Sequence, residues 1–196
     1  MDEYEEMNPL GKAEYVKIIG KLFGKVEEAE NLFDEIVSNY HKIQSEIKEF
    51  NQEKPTIFAN QMYCDFWYMP GGNSFQAKLF EDAGGNYLWS DNNSGTTLNL
   101  SFESVYEKAS QADIWVNVGD FLNKETLLAS YPNYSWFKAY QNGNVYNWSG
   151  RMVSNGGNDY FELGVLRPDW VLKDLAAIFY PDLYPNHELF FYKKLE

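Results

Sequence analysis

Three groups of side chains in this chain have the types and spacing to hold a ligand. Trp67, Tyr68 and Met69 precede the turn Pro70-Gly71-Gly72-Asn73-Ser74, Trp89 and Asp91 close "NYLWSD", and Trp148, Ser149 and Arg151 close "VYNWSGR". Aromatic faces take up large apolar ligands, and an arginine between indoles suits a partly aromatic ligand that carries negative charge. Gly72 and Ser74 stand where a turn opens a helix, so backbone N–H groups there can cradle an anionic group. Plainer readings exist for each residue. Gly-Gly before a helix is ordinary turn chemistry, Trp89 and Trp148 fit a core, and Arg151 can pair with an acidic neighbour. The three groups together favour a binding site, because each follows a strand and parallel strands end on one shared edge.

Covalent chemistry has little footing. There is no Gly-x-Ser-x-Gly elbow and no Gly-Lys-Ser/Thr phosphate loop. Asp159 and Glu162 could form a glycosidase pair beside the tryptophans, but their spacing does not place them across a cleft. His41 and His187 lack a second ligand at i+3 or i+4, and no calcium-loop pattern is present. Cys64 is the single cysteine, which excludes an internal disulfide and suits a small core residue better than a nucleophile. No catalytic and no metal-ligating residue is therefore assigned.

The composition supports binding over catalysis. Aromatic residues make up 18% of the 196, more than one core of this size usually takes, so some should line a surface or cleft. A net charge of -13 argues against nucleic acid or an anionic membrane as partner and permits a cationic protein surface. No apolar run approaches the roughly twenty residues that span a bilayer. The start "MDEYEEMNPL" is acidic where a secretory signal is basic and then apolar.

The elements that must position these groups are legible in the periodicity. From Gly11 to Phe50, apolar residues at Leu22, Val26, Ala29, Phe33, Ile36, Tyr40, Ile43, Ile47 and Phe50 keep to one helix face, with a break expected at Gly24. The longer piece, about 26 residues and roughly 39 Å, reads as a strut. A dimerising heptad helix is the alternative. After Pro55, "TIFANQMY", "NYLWS", "DIWVNVG" and "VYNWS" read as strands. Helices are expected over "SFQAKLFEDA", "SFESVYEKA" with Ser101 as cap, "KETLLASY", and from Tyr160 to Phe179 with a break at Pro168. "DNNSGTT" reads as a loop. Alternating strands and helices predict an α/β fold: a long helix (9–52) followed by one mostly parallel, three-layer lobe (53–196).

The order of these features resembles a known family. A strut helix opening with "NPLGKAEYVKIIGKLFGKVEEAE", then "W-x-x-PGG-S" leading to "DAGG", then "LSFESVYEKASQADIWVNVG", and an ending "GVLRPDWVLKDLAAIFYPDLYP" are similar to the C-terminal half of class III periplasmic binding proteins. These are substrate-binding components of ABC importers for ferric siderophores, haem and cobalamin. The resemblance implies an interlobe helix, a C-terminal ligand-binding lobe, and an N-terminal lobe, signal peptide and lipid anchor lying upstream. It implies a bacterial periplasmic or cell-envelope location, the permease's membrane subunits as partners, and no enzymatic activity. Glu103 matches the acidic residue that docks on the permease, and its bland role is to favour the helix dipole. Trp67–Phe75 fall where the pocket begins, and Trp148–Arg151 where a second pocket loop is expected. No iron-ligating side chain is matched, so the ligand brings its metal already chelated and no resident cofactor is implied. The loop "NGGNDYF" matches loosely, at Asn155 and Tyr160. A carbohydrate-binding or glycoside-cleaving domain is the alternative.

Overall fold

The computed structural model describes residues 5–153 and 156–196, and Asn155 lies outside them. The helical pattern resolves into α1 (Pro9–Glu14), α2 (Val16–Leu22) and α3 (Val26–Phe50). The Asn8 side-chain oxygen accepts from the Leu10 and Gly11 N–H groups, satisfying donors that the first turn leaves free. The break falls at Gly24, as the sequence predicts: its φ of +68° is a conformation that a Cβ disfavours. Gly20 lets α3 fold back closely, since a Cβ there would lie 2.4 Å from that of Ala29.

Beyond Pro55 the elements are β1 (Thr56–Ala59), β2 (Met62–Tyr63), β3 (Phe66–Pro70), α4 (Phe75–Asp82), β4 (Asn86–Tyr87), β5 (Thr97–Leu100), α5 (Phe102–Ala109) and β6 (Ile114–Val116). They continue with α6 (Lys124–Ser130), α7 (Lys138–Gln141), β7 (Tyr146–Asn147), α8 (Leu163–Leu166), α9 (Pro168–Phe179) and β8 (Lys193–Lys194). The central sheet is parallel in the order β4–β1–β6, and a parallel bridge between Trp115 and Val145 adds a fourth line of chain. Both of its faces are covered. On one, Ile57 and Phe179 of α9 close around Gly85, where a Cβ would meet them at 2.9 and 2.8 Å. On the other, Phe58 stacks with Trp115 and Phe137, each at 5.0 Å. Burial on both sides is why these strands are short, nearly continuous apolar runs.

Several predicted elements are subdivided. "TIFANQMY" is two strands, because Asn60 adopts a φ of 61° and ends β1. β2 then pairs antiparallel with β3, and β3 with β5, whose first residue Thr97 belongs to the stretch expected as loop. A second antiparallel pair, β7 with β8, ties the C-terminal segment to the lobe. The helix expected from Tyr160 is a 3-10 turn (Asp159–Phe161), then α8 and α9. Pro168 begins α9, where its missing N–H would have no acceptor anyway.

The apolar stripe of α3 is buried at Ala29, Ile36, Tyr40 and Ile43. This helix is clasped to the lobe rather than free: Asn39 donates to Asp169 at 3.1 Å, Arg167 to Glu35 at 2.9 Å, and Tyr184 to Glu46 at 2.8 Å. The stripe emerges from cover at its other end. Ile18, Ile19, Leu22, Phe23 and Val26 are 41–75% exposed. A contiguous apolar patch of this kind marks an association surface. The chain is therefore expected to self-associate with rising concentration, and Leu22→Glu with Phe23→Glu to return it to a monomer. Sedimentation velocity checks this; equal sedimentation of both proteins would contradict it.

Candidate functional site

The C-terminal ends of the parallel strands place Asn60, Trp89, Asn117 and Trp148 along one edge, the usual ligand side of such a sheet. The sheet order separates two of the predicted groups. Trp89 follows the strand at one end and Trp148 the line at the other, three strand spacings or about 14 Å apart. The three groups share an edge but do not meet at a point.

Period-two alternation in β3 divides the first group. Trp67 and Met69 are fully buried, whereas Phe66 and Tyr68 are 48% and 38% exposed. The Trp67 indole N–H donates to the Ala59 carbonyl at 2.8 Å, and its rings lie 5.6–5.9 Å from Phe58, Trp115, Tyr134 and Phe137. Trp67 and Met69 thus support the ribbon from beneath, and the expectation that they touch ligand is corrected. Tyr63, at 69% exposure, stands 6.3 Å from Tyr68. The outward face of the β2–β3 ribbon is therefore Tyr63, Phe66 and Tyr68. Tyr63 and Phe66 were not among the expected residues, although the alternation Phe66-Trp67-Tyr68-Met69 after the Cys64-Asp65 turn carried the signal.

The remaining expected residues take mixed roles. A Cβ on Gly72 would lie 2.2–2.8 Å from the carbonyl oxygens of Asn92, Trp89 and Ser90, so this glycine packs against a loop. Ser74 caps α4, its hydroxyl accepting from the Ala77 N–H at 3.2 Å. Trp89 is a core residue at 7% exposure, its ring covered by Lys108 at 5.3 Å. Gly72 and Ser74 shape this turn, and Trp89 belongs to the core beside it. Trp148 is half-buried against Tyr160 and Phe161, at 5.2 and 5.1 Å. Arg151 takes its plainer reading, with Nε on Asp159 at 2.9 Å and the guanidinium 4.4 Å above Phe190, yet its side chain stays 44% exposed. Exposed Met152, Val153 and Phe161 complete a second apolar patch around it. Glu103 projects from the first turn of α5 into solvent.

Two asparagines end the central strands between the ribbon and the second patch. Asn60 and Asn117 follow the paired residues Ala59 and Val116, and both adopt a φ of 61°. Asn60 Nδ2 donates to the Tyr68 carbonyl at 2.6 Å, which fixes the ribbon. Asn117 accepts from the Tyr192 hydroxyl at 2.9 Å, and Tyr192 packs 5.8 Å from Tyr160. Burial pushes the Tyr160 hydroxyl up to about 12 and the Tyr192 hydroxyl well above its usual value. Both remain neutral O–H groups at any ordinary pH, so they pack beneath this edge as uncharged hydrogen-bonding groups. Sequence reasoning had no means of finding this pair of asparagines, since their role rests on left-handed backbone at neighbouring strand ends.

Among the described residues, no three His, Cys, Asp or Glu side chains gather in a way that could hold a metal ion. Asp159 is engaged by Arg151, and nothing supports a glycosidase pair.

Comparison with known proteins gives the family and the fold. Residues 4–152 match the sequence model described as "Periplasmic binding protein". An uncharacterized lipoprotein of Methanocaldococcus jannaschii is 32% identical over 196 residues, covering 98% of this chain and 44% of its own length. The chain spans about half the length of the curated relatives it matches. A periplasmic haem-binding protein from Roseiflexus sp. RS-1 superposes with a TM-score of 0.69 at 17% identity, over 90% of this chain and 64% of that one. A possible iron-binding, periplasmic solute-binding protein from Staphylococcus epidermidis superposes with a TM-score of 0.67 at 20% identity, over 90% and 64%. The family match covers most of the chain and the superpositions supply the fold: this chain belongs to the periplasmic binding protein family and has the α/β fold of its class III members.

Proposed function

We propose that this chain forms part of the substrate-binding component of an ABC importer, capturing a metal chelate at its strand-end edge and delivering it to a membrane permease. The observation that carries the reading is the exposed aromatic face of the ribbon, Tyr63, Phe66 and Tyr68, beside the strand ends of a binding-protein fold. Flat aromatic side chains stack on large conjugated ligands, and the exposed part of Arg151 can meet a ligand carboxylate. The cargo class is a ferric siderophore, haem or cobalamin, with its metal already chelated. Names of the structural neighbours, one haem-binding and one described as possibly iron-binding, support that class. Glu103 is the docking residue toward the permease, and the protein works outside the cytoplasmic membrane, held by a lipid anchor. No catalytic step is involved.

The test is tryptophan fluorescence during titration with haem, cobalamin and ferric siderophores, with sugars as controls. One chelate is expected to give saturable quenching, and Tyr68→Ala or Phe66→Ala each to weaken it by about tenfold through loss of stacking area. Silence toward every chelate, or a saturable response to sugar alone, would overturn the reading.

A further inference from the structure

A carboxylate deep in the lobe holds the chain that underlies the second patch. Asp174 of α9 is fully buried. It accepts from the Phe190 N–H at 3.0 and 2.9 Å, from Phe191 at 2.7 Å and from Tyr192 at 3.1 Å. His187 Nε2 stands 2.7 Å from its other oxygen. Three successive backbone N–H groups turned to one side form a concavity for an anion. A carboxylate stripped of water needs such donors, and the N–H groups need an acceptor. Asp174 therefore pins the segment Phe190–Tyr192 to α9.

Each of the three pinned residues touches part of the ligand edge. The Phe190 ring lies 4.4 Å from the Arg151 guanidinium. The Phe191 carbonyl accepts from the Gly150 N–H at 2.9 Å, and a Cβ on Gly150 would lie 2.8 Å from that carbonyl. Tyr192 donates its hydroxyl to Asn117 at 2.9 Å and packs 5.8 Å from Tyr160. Arg151 has two supports, Asp159 at Nε and the Phe190 ring against one face. A half-exposed ion pair holds a long side chain only weakly. The ring closes one face of the guanidinium and leaves the other to a ligand. The direction in which Arg151 points thus depends on where Phe190 stands, and Asp174 decides that.

We infer that Asp174 is a positioning residue of the binding site. Its carboxylate, seated on the N–H groups of Phe190, Phe191 and Tyr192, sets Arg151 and the 3-10 turn Ser149–Arg151 in the orientation that meets the ligand. It touches no ligand itself. This rests on the importer reading and adds to it a group buried in α9.

The experiment compares Asp174→Asn with Tyr40→Phe by heteronuclear NMR and by fluorescence titration with haem, cobalamin and ferric siderophores. Asparagine keeps the size but offers one acceptor oxygen in place of two. Tyr40→Phe removes a different buried contact to a carboxylate, the hydroxyl to Asp82 at 2.8 Å, and is the control. Asp174→Asn is expected to shift the Gly150 amide and the Arg151 Nε–H while the Tyr68 amide stays in place. Its chelate affinity should fall about fivefold, the worth of one ligand hydrogen bond. Tyr40→Phe should leave these resonances and the affinity unchanged. His187→Ala removes only the side-chain partner and should move the same two resonances less, so the test stands even where Asp174→Asn does not fold. Unmoved Gly150 and Arg151 resonances, wild-type affinity in a folded Asp174→Asn protein, or an equal loss in Tyr40→Phe would overturn the inference. A wild-type chain silent to every chelate removes the cargo reading alone, because the two resonances still report whether Asp174 positions Arg151.

Discussion

Replacing Trp67 by alanine is expected to destabilise the protein by about 3–5 kcal/mol, the usual cost of emptying a large buried aromatic site. For a chain of this size that lowers Tm by roughly 10 °C. The indole is fully buried, touches four other aromatic side chains, and donates to the Ala59 carbonyl at the end of β1. Alanine would leave a cavity under the ribbon and an unpaired carbonyl beside it. Trp67→Phe should restore most of the packing but not the hydrogen bond. Because Trp67 faces the core and Tyr68 faces solvent, the phenylalanine variant should bind chelate with unchanged affinity. Thermal unfolding measures the first effect and fluorescence titration the second. A folded Trp67→Phe protein with tenfold weaker binding would show that Trp67 reaches the ligand after all.

The second large effect lies where the long helix meets the lobe. Arg167 is 8% exposed and grips Asp169, itself fully buried, through Nε at 2.9 Å and Nη2 at 2.7 Å, while Nη2 also reaches Glu35 of α3. Its guanidinium is 4.0 Å from the Trp170 ring centroid. Arg167→Met would leave Asp169 buried with only the Asn39 amide and the start of α9 to favour its charge. Removing one partner of such a pair costs about 3–5 kcal/mol, whereas replacing both by apolar residues of similar volume is often nearly neutral. Arg167→Met with Asp169→Leu should therefore recover most of the loss. Urea unfolding of the two variants decides it. A double variant as unstable as the single one would mean that the pair's hydrogen bonds, rather than an uncompensated charge, set the cost.

The particular residues show how far the sequence could be read. The helix face from Ala29 to Ile43 was legible because a 3.6-residue period and burial against one neighbour coincide. The break at Gly24 was legible because glycine alone takes a left-handed φ freely, and the cap at Ser101 because it satisfies a backbone N–H within a few residues, whereas Ser74, expected at a ligand, caps α4. Tyr68 and Trp67 are adjacent letters with opposite fates, and only the pairing of β3 with β2 and β5 decides which one faces solvent. Arg151 invites a ligand in the sequence, yet Asp159, eight residues further along the chain, takes its Nε. Ion pairs closed by loops have no period to betray them.

By itself, then, the sequence determined the class of fold, the long helix, and the acidic first turn of α5 at Glu103. These depend on local periodicity, capping and charge, which are written over short stretches of chain. Only the tertiary structure decided that Trp89 and Trp148 end opposite sides of the sheet, that Trp67 lies beneath the ribbon while Tyr63 and Phe66 lie above it, and that Trp136 packs on Phe102 and Tyr106 of α5. Those relations join residues tens of positions apart, and they follow from strand order and register, which many side chains set together through burial.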